Sequence, residues 1–94
     1  MEINKAMYEW DSEKEALSIQ KHGLDSDTAV LVFEDENYIE WYDEAHSESE
    51  SRYNVLGLVH DVLFVVYTER RDNIRIISAR LATKQERSLY YDRD

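Results

Sequence analysis

Six consecutive apolar residues, Val62-Leu63-Phe64-Val65-Val66-Tyr67, constrain this chain more than any other feature. A strand shows alternate side chains to opposite faces, so a run apolar at every position predicts a central strand covered on both sides. The flanking segments supply its neighbours. Arg52 to Val59 and Asn73 to Arg80 both read as strands. A tight turn at His60-Asp61 joins the first to the 62–69 strand, and residues 70–73 form the second turn, with Asp72-Asn73 tolerant of positive φ. Tyr38 to Tyr42 reads as a further, half-exposed strand, and the serine- and glutamate-rich stretch 43–51 as a loop. The result is an antiparallel meander of four main strands.

Helical signals sit on either side of it. Tyr8-Glu9-Trp10 alternates and reads as a possible short first strand. Asp11 or Ser12 then offers an N-cap, and Ser12 with Glu15 has capping-box spacing. That helix should stop at Gly23, with Leu24 folding back onto Ile19 as in a Schellman ending. A second helix, capped by Asp25 or Ser26, carries an apolar stripe of Ala29, Val30, Val32 and Phe33. Thr83 with Glu86 caps a terminal helix running to about Tyr91. Two helices, a meander and a helix make an α+β fold. Without prolines or repeats among 94 residues, residues 1–94 read as one domain.

Composition excludes several chemistries. There is no cysteine, hence no disulfide, thiolate metal site or cysteine nucleophile. No apolar run reaches the ~18 residues of a membrane span, and residues 1–5 lack the apolar core of a signal peptide, so a cytoplasmic location is expected. The two glycines cannot build a phosphate-cradling loop. The histidines lack metal-ligand spacing, and no metal or other cofactor is expected. The net charge of −10 argues against nucleic acid as a partner until it is mapped along the chain. Residues 1–50 carry three Lys/Arg against fifteen Asp/Glu, whereas residues 51–94 carry eight against six. Seven of those eight cations are arginine, the side chain suited to bidentate phosphate contact.

The chemistry-bearing residues follow from that asymmetry. Arg75 leaves its strand on the face opposite Ile74 and Ile76, whereas Arg80 shares their parity but lies at the strand end. Arg70 and Arg71 belong to the turn, and Lys84 and Arg87 to the last helix. Such a set can grip a phosphodiester, or it can pair with the carboxylates of the acidic half. His46, in a polar loop, is the accessible acid–base candidate; His22 ends the first helix and His60 sits in a turn. Tyr67 can stack on a base, donate a proton or fill the core.

Two segments resemble the BrnT toxin family. One is Tyr8-Glu9-Trp10-Asp11 with Lys14, Lys21-His22-Gly23 and Asp27 to Phe33. The other is the long run from Tyr67 to Thr83, followed by Glu86-Arg87 and Tyr90. His46-Ser47 and Arg52 fall where that family usually has a His-Ser and a later arginine. The chain departs from it at Arg71, where glycine is common, and at Ser18, where asparagine is frequent. The resemblance implies a RelE-like fold and an RNA-cleaving toxin of a type II toxin–antitoxin system. It also implies a BrnA-type antitoxin partner, which would bring the complex to DNA. Carried over by position, Arg70, Arg75, Arg80 and His46 become candidate catalytic residues. Arg52, carried over likewise, is an expected RNA contact, and Arg71, Lys84, Arg87 and Tyr67 join it by their charge or ring beside that set and not by the resemblance. The expected mechanism is metal-independent, with a 2′-OH attacking phosphorus, His46 moving the proton and Tyr67 or Glu69 as substitutes. The alternative is a toxin-like domain without catalysis, serving as a protein-binding module or co-repressor.

Overall fold

A computed structural model describes residues 7–92; residues 1–6, which include the stretch weighed above as a signal peptide, and 93–94 lie outside it. In chain order it contains β1 (Tyr8–Trp10), α1 (Ser12–His22), α2 (Ser26–Val30), β2 (Ile39–Tyr42), β3 (Arg52–Val59), β4 (Asp61–Arg70), β5 (Asn73–Leu81) and α3 (Lys84–Tyr91). The strands form one sheet in the order β1-β5-β4-β3-β2. β2 through β5 pair antiparallel, as the meander requires, but β1 pairs parallel to β5, so the sheet is mixed. This α+β architecture is compatible with a RelE-like toxin fold.

Helix signals act locally. Asp11, not Ser12, caps α1, its carboxylate accepting from the N–H groups of Glu13 and Lys14 at 2.9 and 3.3 Å. Glu15 closes no capping box; it reaches across to accept from the Ser26 N–H at 2.8 Å, tying α1 to α2. Gly23 takes the left-handed conformation (φ 70°) and its N–H bonds the Ile19 carbonyl, a single αL-type ending. Leu24 packs against the core, and Ile19 is half-exposed. α2 is short, and the chain continues as a 3-10 turn, Leu31–Glu34. Thr83 and Glu86 make the full capping box of α3.

One sheet face carries the main core. Val55, Leu63, Val65, Tyr67, Ile76 and Ala79 pack there against Ala29 and Val32, with Trp10, Leu24 and Phe33 around them. On the other face α3 covers only one end, where Tyr90 and Ala82 meet Leu56 and Val62. β4 is therefore central but not covered twice along its length: Phe64 and Val66 remain half-exposed. Asp35 latches α3 to the rest, accepting from the Tyr90 hydroxyl and the Leu58 N–H.

Positive φ falls at His60 (67°) and at Arg71 (59°), not at Asp72 or Asn73. An L-residue pays about 1 kcal/mol or more in that conformation. Arg71→Gly should therefore raise Tm by about 2–4 °C, once glycine's greater unfolded-state freedom is offset. A lower Tm in a thermal melt would show that the Arg71 side chain stabilises the turn.

Candidate active site

The open part of the second face acquires its side chains through register. Thr68 pairs with Arg52 on one side and Arg75 on the other; Val66 pairs with Asn54 and Ser78; Phe64 pairs with Leu56 and Arg80. Uninterrupted alternation would have sent Arg80 to the face of Ile74 and Ile76. Instead the register shifts between Val66 and Tyr67, because Tyr67 pairs with Ile76 and Val66 with Ser78, leaving Ile77 as an extra residue in β5. A bulge of this kind reverses the facing of all that follows. Ala79 thus joins Ile76 in the core, and Ser78 and Arg80 move to the face of Arg52, Arg70 and Arg75. The parity expectation for Arg80 fails for this reason.

A cavity of about 360 Å³ results, lined by Asp43, His46, Arg52, Asn54, Phe64, Val66, Ile77, Ser78 and Arg80. It adjoins a larger one of about 450 Å³ under α1, where Lys14, Lys21 and His22 stand with Asp11, Glu15 and Asp25, and Arg52, Ile77, Ser78 and Arg80 line both. At its mouth His46 Nδ1 lies 3.0 Å from the Asp43 carboxylate. The His46 side chain is 70% exposed and that of Asp43 14%, so a held carboxylate meets Nδ1 of a reachable imidazole. The loop is pinned by Ser47, whose hydroxyl donates to the Asp43 carbonyl (2.5 Å) and accepts from the Arg52 N–H (2.9 Å). The Asp43 N–H also bonds the Arg52 carbonyl at 2.9 Å. The dyad and Arg52 are thereby one rigid unit.

The arginines sharing this face are already engaged. Arg80 makes a two-pronged pair with Glu86 at 2.8 and 3.0 Å and lies 4.2 Å over the Phe64 ring. Glu86 therefore stays ionised below the usual carboxylate range, chiefly through that hydrogen bond, and the Arg80 pKa is raised by the same contact. Arg75 pairs with Glu9 at 2.9 Å at the β1 edge, and Arg70 with Glu50 at 3.3 Å. The Asn73 amide and then Arg75 lower the Glu9 pKa; backbone N–H groups of Lys14 and Glu13 lower that of Asp11. Carboxylates lowered on folding stabilise the native state above their unfolded values near 4, and that contribution disappears as pH falls through the folded values. Tm should hold between pH 7 and about 5 and drop below about pH 4. A melt insensitive to acid in that window would contradict these pairings.

Not every expected residue enters the groove. His46, Arg52 and Arg80 line it together. Arg70 and Arg75 share its face but sit at the far end and edge. Arg71 is exposed on its turn and Lys84 on α3, while Arg87 donates to the Ala82 carbonyl. Tyr67 lies on the opposite face, 6% exposed, its hydroxyl bonded to Glu40, and burial with Glu40 nearby raises its pKa. By strand alternation Glu69 shares that face. Neither Tyr67 nor Glu69 can replace His46 in this cavity. Reading the chain in sequence missed Asp43, Asn54, Ser78 and Glu86. The three-residue spacing of Asp43 and His46, which a 3-10 turn brings together, was an available signal; Ser78 was hidden by the bulge. Among the described residues no three His, Asp or Glu side chains are arranged to hold a metal ion, and no helix is long and apolar enough to cross a membrane.

Residues 10–86 match the family model described as the ribonuclease toxin BrnT of type II toxin–antitoxin systems. No curated protein matches the chain. The matched span runs from β1 into α3 and contains the dyad, the bulge and both groove arginines. The chain belongs to the BrnT family of ribonuclease toxins.

Proposed function

We propose that the groove is the active site of a metal-independent endoribonuclease, acting in the cytoplasm and restrained by a BrnA-type antitoxin. His46 Nε2 takes the proton of a ribose 2′-OH, with Asp43 holding the ring. The 2′-oxygen bonds to the adjacent phosphorus, the P–O5′ bond breaks, and the 5′-oxygen leaves as an alcohol with a proton from solvent water, giving a 2′,3′-cyclic phosphate. Arg52 and Arg80 hold the non-bridging oxygens, where fixed positive charge is worth about 3 kcal/mol in a dry site. Of the five Arg80 N–H donors, Glu86 and the Leu81 carbonyl take three, so two remain for phosphate. Glu86 thus aims the guanidinium more than it neutralises it. The observation that carries the proposal is the Ile77 bulge, which turns Arg80 into the cavity that already holds Arg52 and the dyad. The acidic first half offers a surface to a basic antitoxin segment, through which the complex would reach operator DNA.

The test is cleavage of a defined RNA by the purified chain. A single 2′-deoxy substitution at the cut position should block cutting there, and excess EDTA should leave the rate unchanged. Loss of activity in EDTA would retire the metal-free route. The engagement of Arg52 and Arg70 with Glu50, of Arg75 with Glu9 and of Arg80 with Glu86 favours the second reading, a non-catalytic binding module. Expression without growth arrest, with antitoxin binding intact, would select that reading.

A further inference from the structure

Two polar atoms in the groove have no protein partner. Asn54 is 8% exposed, and its Oδ1, like Arg52 Nε, is buried without a hydrogen bond. The two residues occupy successive same-face positions of β3, and both line the cavity. Unanswered buried polar groups are rare in folded proteins and call for an explanation. The chemistry between them and the opposite wall supplies one. Val66 and Ile77 form a half-exposed apolar floor beside the Phe64 ring, which Arg80 covers; an amide, a hydroxyl and two guanidinium groups surround it. A flat heteroaromatic ring with hydrogen-bonding groups on its edge and a phosphate attached matches both parts.

We infer that the groove seats one nucleobase of the RNA against this floor and that the Asn54 amide reads its edge, making Asn54 a specificity-determining residue. The inference rests on RNA entering this cavity, and adds to it a division of labour. Arg52 and Arg80 answer phosphate charge, which is the same for every nucleotide, whereas an amide offers one donor and one acceptor and so distinguishes base edges. Trp41, the register partner of Asn54 on β2 and 37% exposed, stands close enough to report occupancy by its fluorescence.

The experiment titrates the intact chain with 2′-O-methyl dinucleoside monophosphates of each base; these lack the 2′-OH nucleophile and are not cut. The wild-type chain should show at least a tenfold spread in Kd between the best and worst base. Asn54→Leu, similar in volume, should compress the spread to within twofold and leave the affinity for inorganic phosphate unchanged. Asn54→Asp, which only accepts, should move the preference to guanine, whose N1–H and N2–H₂ present two adjacent donors. Equal or absent binding of the four ligands by the wild type overturns the inference. So does an unchanged spread in Asn54→Leu or, should that variant fail to fold, an unchanged ranking in Asn54→Asp. RNA cleavage is scored separately. A chain that ranks bases but does not cut removes the nuclease reading alone, and one that cuts while Asn54→Leu keeps the ranking removes the base-reading role alone.

Discussion

Gly57→Ala should cost about 3 kcal/mol of stability and lower Tm by roughly 12–24 °C. Gly57 lies on the core face of β3 beneath the 3-10 turn, and an added Cβ would stand 2.6 Å from Val32 Cβ and 3.0 Å from its Cα and carbonyl oxygen. Two of those three atoms are backbone, so relief requires the whole turn to lift from the sheet. Val32 itself is fully buried, and lifting it would open the contact between Ala29, Val55 and Leu63. The cost therefore comes from overpacking followed by lost burial. Gly23→Ala is the contrast: its Cβ meets nothing within 4 Å, and only the left-handed φ resists it. Calorimetry on both variants measures the difference. A Gly57→Ala melt as mild as that of Gly23→Ala would mean that the turn does not bear on β3.

His46→Gln should reduce kcat for RNA cleavage by about 10²–10⁴ while leaving the stability within about 0.5 kcal/mol of wild type. The side chain is exposed and contributes nothing to the core, so its loss is felt only in proton transfer. Glutamine keeps a polar group near Asp43 but cannot take up a proton at neutral pH. Asp43→Asn should act in the same direction and more weakly, since the imidazole remains but loses its orienting charge. Arg80 tests the other half of the site less cleanly. Its removal also releases Glu86, although the Thr83 N–H still holds that carboxylate in the capping box at 2.8 Å. Cleavage that survives His46→Gln at full rate would place proton transfer outside this groove.

Much of the architecture was legible in the order of residues because its determinants are local. Thr83 and Glu86 are three apart and close their own capping box; Gly23 ends α1 on its own φ; the strand limits of β3 fall where alternation began and ended. Local errors were choices between neighbours, whereas the parallel pairing of β1 with β5 and the half-open second face of β4 are tertiary outcomes. Asp11 caps in place of Ser12 because Glu15 is needed by Ser26, eleven residues on. Positive φ settles on Arg71 because strand pairing of Arg70 with Asn73 leaves only two residues for the turn.

The site was legible only in part. His46, Arg52 and Arg80 were nameable from their chemistry and from family resemblance, but that they share a cavity was not. Strand alternation read along β5 gives a definite and wrong facing for Arg80, since a bulge depends on how two strands pair. The helix caps, the strands and the supply of arginine in the second half can be read from the order of residues, because each depends on residues a few positions apart. Which arginines line the cavity with His46 and Asp43, which carboxylate each one meets, and which polar atoms of Asn54 and Arg52 stay unanswered emerge only when the strands and helices pack. Those outcomes depend on how separate elements dock, across 6 residues for Arg80 and Glu86 and 66 for Arg75 and Glu9, and a one-residue shift in strand pairing reverses the facing of Arg80.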